Sequence, residues 1–316
     1  MPRWQQIKFI NFWPHVVLMS LSLGIFFLSA CASSRPGSEE DLGLAALPDN
    51  GLEVQIMPQK IKLFPGKIAL ATYPWQASSP ITQIVCDGRA VPFFYHDGFV
   101  KAYLTDSYFT KAPRAFDCEV DYTWHQQQRH RLLWIVQVKK FFYPQERLQV
   151  DKKHVILSKA DQKRVEAERK ITAQVYQNGH PTPYFREGFQ RPLDSKITSY
   201  YGRRRIFNKG VRTQHLGTDF RAAEGTPIRN VNTGKVVLVA DLFYTGNTVI
   251  VDHGLEIFSI YGHLSEPQVQ VGEMVGPGDI IGLSGATGRV SGPHLHWGVK
   301  MQGLNSDGLS LVKAGF

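Results

Sequence analysis

Three observations predict an all-β chain built from two β domains joined by a helix. Residues 51–147 alternate apolar and polar positions, and Pro65-Gly66, Asp87-Gly88 and Asp97-Gly98 supply turn signals between the runs. Residues 159–177 are rich in Lys, Glu, Gln, Ala and Arg, all good helix formers, with only sparse apolar positions. From about Phe189 the chain becomes a series of short apolar runs separated by many glycines, the texture of short hairpins and tight turns.

In the first domain, Val54 and Ile56, Ile61 and Leu63, Ile68 and Leu70, then Phe93 to Tyr95 and Leu132 to Val138 mark short strands. That spacing predicts an antiparallel β-sandwich, immunoglobulin-like in size, over residues 51–150. His96, His125 and His130 are scattered through it and form no catalytic constellation, so its expected role is binding or positioning. The connecting helix begins at Ser158, an N-cap residue with Asp161 in the first turn. Asn178-Gly179 ends it, and Pro181 and Pro183 forbid a quick restart. Residues 151–188 are therefore a helical linker. Residues 189–316 make the second domain, with its clearest strands at Lys235–Ala240, Thr248–Asp252, Glu256–Tyr261 and Ile280–Leu283.

A chain of 316 residues with 43% hydrophobic and 12% aromatic content is globular and has room for about two domains. The first 30 residues stand apart. Arg3 and Lys8 precede an uncharged apolar run from Val16 to Ala30. The run is shorter than the ~20 residues of a membrane span and has the layout of a secretory signal. Its end, Leu28-Ser29-Ala30-Cys31, resembles the lipobox of bacterial lipoproteins. That resemblance implies lipidation of Cys31 after cleavage. Ala32 behind it implies sorting to the outer membrane, facing the periplasm. Residues 31–50 then read as a flexible polar tether.

Export implies an oxidising compartment, where Cys86 and Cys118 of the first domain are expected to form a disulfide; two buried thiols are the alternative. Losing Arg3 and Lys8 lowers the formal charge from +9 to +7. A moderately basic surface suits an anionic polymer such as the cell wall, and nucleic acid is not an expected partner of an exported protein.

Ser291-Gly292-Pro293-His294-Leu295-His296-Trp297 carries the chemistry. On a strand, His294 and His296 project to one face and Leu295 to the other. His215 and Asp219 sit four residues apart, an even separation that keeps both side chains on one face, with Gly217 between them favouring an extended or turned backbone. Two imidazoles and one carboxylate leave zinc an open fourth position, the pattern of a catalytic site. His215, Asp219 and one histidine of the 294/296 pair suffice, and His263 in Tyr261-Gly262-His263-Leu264-Ser265 is placed to enter the same pocket. A structural zinc closed by His263 is the alternative.

With these pieces assembled, the C-terminal 130 residues resemble the lysostaphin-type (LytM-like) peptidoglycan metalloendopeptidases. The motifs occur in order: Ser199-x-x-Gly202-x-Arg204, His215-x-x-x-Asp219, Glu224-Gly225-Thr226-Pro227, Gly246-Asn247, Asp252-His253-Gly254, Tyr261-Gly262-His263-Leu264-Ser265, Gly285-x-Thr287-Gly288 and Gly292-Pro293-His294-Leu295-His296. The resemblance implies one Zn2+ per chain, held by His215, Asp219 and His296. It makes His294 the general base and gives His263 the water or the oxyanion. The implied substrate is the peptide cross-link of peptidoglycan. Gly298 departs from the family, many of whose members carry Glu there. His253 reads as a structural turn residue. The alternative that the resemblance leaves open is a non-catalytic LytM-like protein that binds cell wall or activates an amidase; such members usually lack one or more metal ligands, whereas all five site positions are filled here.

Overall fold

The computed structural model describes residues 56–148, 157–207 and 211–316. The secretory signal, Cys31 and the tether lie outside the described residues, among which no helix is long and apolar enough to cross a membrane. The described chain is mostly strand, with two helices, Lys159–Gln177 and Gly308–Ala314.

Two sheets form the N-terminal half. One has five strands, in the order Gln59–Leu63, Gln127–Val138, Arg114–Trp124, Ile81–Cys86, Arg89–Ala90; the other has three, Ile68–Pro74, Phe99–Thr105, Phe94–His96. Their inner faces enclose a core that includes Tyr73, Trp75, Ile84, Leu133 and Trp134. The turn signals are used as expected: Gly66, Asp87, Gly88, Asp97 and Gly98 all have positive φ. One feature departs from the antiparallel expectation. Gln59–Leu63 runs parallel to Gln127–Val138, with Gln59 opposite Trp134. Cys86 and Cys118 stand directly opposite each other on neighbouring strands and are joined by a disulfide.

The helix Lys159–Gln177 is capped by Ser158, whose side chain accepts from the Asp161 amide, and it ends at Asn178. Only Val165 is buried, so it is held by local contacts: Arg164 to Asp241, and Tyr176 edge-on to Phe258.

The C-terminal half is built on a ten-stranded sheet whose pairings are all antiparallel among the described residues. Its central path runs Ile197–Ser199, Thr218–Arg221, His294–Met301, Ile257–Pro267, Gly246–Asp252, Gly234–Leu242, Met274–Val275. Beneath it, His253 is fully buried just after the strand Gly246–Asp252, a structural residue as its place in the sequence suggests. Its ring bridges the Thr233 carbonyl at 2.9 Å and the Ser259 hydroxyl at 2.7 Å. Ser259 continues to the Tyr261 hydroxyl, which donates to Asn230 Oδ1.

The two halves share a core. Phe94 and Tyr103 of the small sheet pack with Phe185, Phe189 and Phe316 in one aromatic layer, and the Tyr103 hydroxyl donates to the Gly315 carbonyl at 2.7 Å. Gly66 closes against the ring of Tyr201, and its carbonyl accepts from the Asp307 amide. A third sheet links the halves at the backbone. Gln145–Leu148 runs parallel to Arg204–Phe207, which is hairpinned to Val211–Gln214.

Because the aromatic layer belongs to both halves, calorimetry should show one cooperative transition rather than two. Phe185→Ala should lower global stability by about 3–5 kcal/mol, and two resolved transitions would contradict the shared core. His253 adds a pH dependence. Burial pushes its pKa down to about 4, so the unfolded chain takes up the proton first. Stability is full above about pH 6.5 and falls by about 3 kcal/mol as pH drops toward 4. Urea midpoints at pH 7, 5 and 4 should therefore fall less steeply in His253→Gln than in the parent.

Candidate metal centre and active site

Ser199, Asp219, His296 and Gly262 form a row across four neighbouring strands, each in register with the next. The period of two sorts the side chains on either side of the sheet. Thr218, Phe220, Leu295 and Trp297 are buried in the core, while Asp219, His294 and His296 face the opposite side. His215 lies in the loop before Thr218–Arg221. Its amide donates to the Arg203 carbonyl at 2.9 Å, and its own carbonyl accepts from the Gly202 amide at 2.6 Å. Gly202 has φ +83°, and the Tyr143 ring fills the space a side chain there would need.

Three donor atoms converge on one point. His215 Nε2 is 3.0 Å from Asp219 Oδ1, His296 Nδ1 is 2.8 Å from the same oxygen, and the two nitrogens are 3.2 Å apart. Donors on a tetrahedral zinc with bonds of ~2.0 Å stand about 3.3 Å from one another, so the set has the right size and chemistry for such an ion. The ring orientation is fixed from behind. His215 Nδ1 lies 3.3 Å from the Tyr200 carbonyl and 3.1 Å from Ser199 Oγ. A carbonyl only accepts, so Nδ1 carries the hydrogen and the Nε2 lone pair faces inward. Burial pushes the Asp219 carboxyl up, but the adjacent His215 and His296 rings outweigh it and hold the group well below the usual carboxylate range. It is ionised, as a ligand must be.

His263 and His294 stand beside this trio, their rings 4.7 Å apart. His294 Nδ1 donates to the Gly292 carbonyl at 2.9 Å, leaving Nε2 3.7 Å from Asp219 Oδ1. His263 reaches the site by a distortion of its strand. It has φ +64°, its amide donates to the Thr245 carbonyl, and the pairing register of Ile257–Pro267 shifts around it. This bulge turns the side chain toward the face used by His296. Its Nδ1 donates to the Thr287 carbonyl at 2.8 Å, and burial pushes its pKa down to about 4.

All five residues singled out from the sequence, His215, Asp219, His263, His294 and His296, thus meet at one place. The first-domain histidines do not approach it: His96 packs on Phe316, and His130 pairs with Asp121 on an exposed strand face. Sequence reading missed the supports, Arg205 and Glu146, which emerge only from the pairing of Gln145–Leu148 with Arg204–Phe207. It also missed the full role of Gly217, where a Cβ would lie about 2.4 Å from the His296 ring.

Residues 213–307 match the model of peptidase family M23. The chain carries a domain of peptidase family M23. Among curated proteins, the Vibrio cholerae peptidoglycan DD-endopeptidase ShyA is 41% identical over 145 residues, 43% of this chain and 33% of that protein. The DD-endopeptidase ShyB of the same organism is 38% identical over 95 residues, 30% of this chain and 22% of that one. The chain therefore spans a third or less of the length of these relatives. A Pseudomonas aeruginosa crystal structure assigned to peptidase M23 matches with TM-score 0.61 and 26% identity, covering 79% of this chain and 95% of that one. The structural likeness thus reaches well beyond the M23 segment, into the N-terminal sheets.

Gly217→Ala should drive His296 out of line and weaken metal binding by at least about tenfold while leaving the melting temperature within a few degrees. Chelator competition and thermal denaturation on the same sample check both halves of that expectation.

Proposed function

We propose that the chain is a zinc-dependent endopeptidase that hydrolyses peptide cross-links of bacterial peptidoglycan. The observation that carries this reading is the convergence of His215 Nε2, Asp219 Oδ1 and His296 Nδ1 beside two histidines whose Nδ1 atoms are tied to carbonyls. The M23 match and the relatives' names support the substrate class, and those names favour the D,D amide of the cross-link. His215, Asp219 and His296 would hold the ion, which supplies Lewis acidity for the scissile carbonyl and for an attacking water.

The remaining chemistry belongs to the two outer histidines. With Nδ1–H donated to a carbonyl, each neutral ring offers its Nε2 lone pair to the site. His294 Nε2 accepts the proton of the attacking water and returns it to the leaving amine. The Asp219 carboxylate 3.7 Å away stabilises the imidazolium formed between those steps. His263 is neutral at pH 7 and acts as an acceptor that holds the water. A neutral His263 whose hydrogen is already given to Thr287 has none for an oxyanion, which narrows its two expected roles to one. In this reading the protein is exported, lipidated at Cys31 and held at the outer membrane facing its substrate.

The test uses soluble protein from residue 47 onward with purified peptidoglycan, with and without a chelator, and fragments identified by mass spectrometry. Cross-linked dimers should fall to monomers in a chelator-sensitive way, and His294→Ala should lose at least about 100-fold in rate while keeping its zinc. No release at full zinc occupancy would point to a wall-binding regulator instead.

A further inference from the structure

The ligands Asp219 and His215 share a support that originates outside the matched M23 segment. The Arg205 guanidinium reaches three groups at once. Its Nη2 donates to Ser199 Oγ at 3.1 Å and lies 3.8 Å from Asp219 Oδ2, the carboxylate oxygen turned away from the metal position. Its Nε donates to Glu146 Oε1 at 3.0 Å. Ser199 Oγ is in turn 3.1 Å from His215 Nδ1. Arginine only donates, so it occupies one lone pair of the serine oxygen and leaves the other to receive His215 Nδ1–H. One cation therefore sits behind two of the three metal ligands.

Glu146 decides where that cation stands. Its second oxygen accepts from Arg203 Nη1 at 3.0 Å, so the carboxylate is clamped between two guanidinium groups. The backbone is clamped as well. Glu146 is in register with Arg205 in the parallel pair of Gln145–Leu148 and Arg204–Phe207. Tyr143, three residues earlier, fills the space over Gly202, and its hydroxyl donates to the Pro65 carbonyl in the N-terminal half. Both Glu146 and Arg205 are largely shielded, with side chains 28% exposed.

We infer that Glu146 is a positioning residue for the metal centre: through Arg205 it orients Asp219 and His215 and so sets metal affinity. This rests on the metal-site reading above. The ion pair with Arg205 occupies Asp219 Oδ2, so Oδ1, beside His215 and His296, is the oxygen that would be offered to an ion. Loss of the negative charge at 146 frees Arg205 to swing to solvent; Asp219 Oδ2 then loses its cationic partner, and Ser199, which faces His215 Nδ1, loses the guanidinium that holds it. The N-terminal half thereby acts on the catalytic centre without touching substrate.

The test compares the parent with Glu146→Gln, Arg205→Lys and Arg203→Gln, using chelator competition for zinc and the visible spectrum of the cobalt(II) form. Gln keeps the size of Glu, and thermal melts of the metal-free proteins identify any variant that is simply unfolded. The expected result is a loss of about 10- to 100-fold in zinc affinity for Glu146→Gln and Arg205→Lys, with a changed cobalt spectrum. Arg203→Gln, which touches Glu146 but neither Ser199 nor Asp219, should stay within about threefold of the parent. Equal affinity and an unchanged spectrum in Glu146→Gln overturn the inference, as does an equal loss in Arg203→Gln, which would mark a merely structural clamp. A parent protein that binds no zinc at all would instead overturn the metal-site reading itself.

Discussion

The antiparallel pairing of Thr218–Arg221 with His294–Met301 is the constraint on which the rest depends. It sets Asp219 directly opposite His296, and the same register buries Phe220, Leu295 and Trp297 on the other side. A slip by one residue would exchange the two faces, placing Asp219 and His296 in the core and the apolar side chains in water. The site's precision is thus backed by the whole apolar face of the sheet. The neighbouring strands extend the row outward, to Ser199 on one flank and to Gly262 on the other.

The chemistry is then tuned by backbone carbonyls. Tyr200, Gly292 and Thr287 each face the Nδ1 of one histidine, and a carbonyl can only accept. The direction of three imidazoles is consequently set by main chain. His296 is the exception, because it turns its Nδ1 inward, and its orientation depends on the missing side chain at Gly217. The same economy explains the strained φ of His263: only a bulge can bring a residue adjacent to Gly262 onto the face that Gly262 shares with His296.

Much of this was legible in the residues, and the limits have physical causes. Period-two alternation at 294–297 paired His294 with His296, and the even spacing of 215 and 219 paired His215 with Asp219, because such short-range geometry is local. The helix boundaries could likewise be read, since Ser158 and Asn178 act on their own turns. The parallel pairing of the edge strand Gln59–Leu63, and the strand Gln145–Leu148 itself, could not, because parallel partners are chosen by tertiary contacts far away in sequence. Glu146 is an ordinary charged residue until that pairing puts it beside Arg205. His253 reads as a structural turn residue and is one, but the Thr233 carbonyl and Ser259 hydroxyl that make its burial tolerable come only from the tertiary structure.

The aromatic layer and the parallel strand also bear on how such a chain can be rearranged in evolution. Phe94 and Tyr103 fit rings contributed by the other half, and Gln145–Leu148 fits a hairpin that it does not itself encode. A recombination event that joined this N-terminal half to a different peptidase would leave an unmatched ring socket and an unpaired sheet edge, a source of aggregation. The two halves are therefore expected to be inherited and to diverge as a pair, rather than to circulate as interchangeable modules.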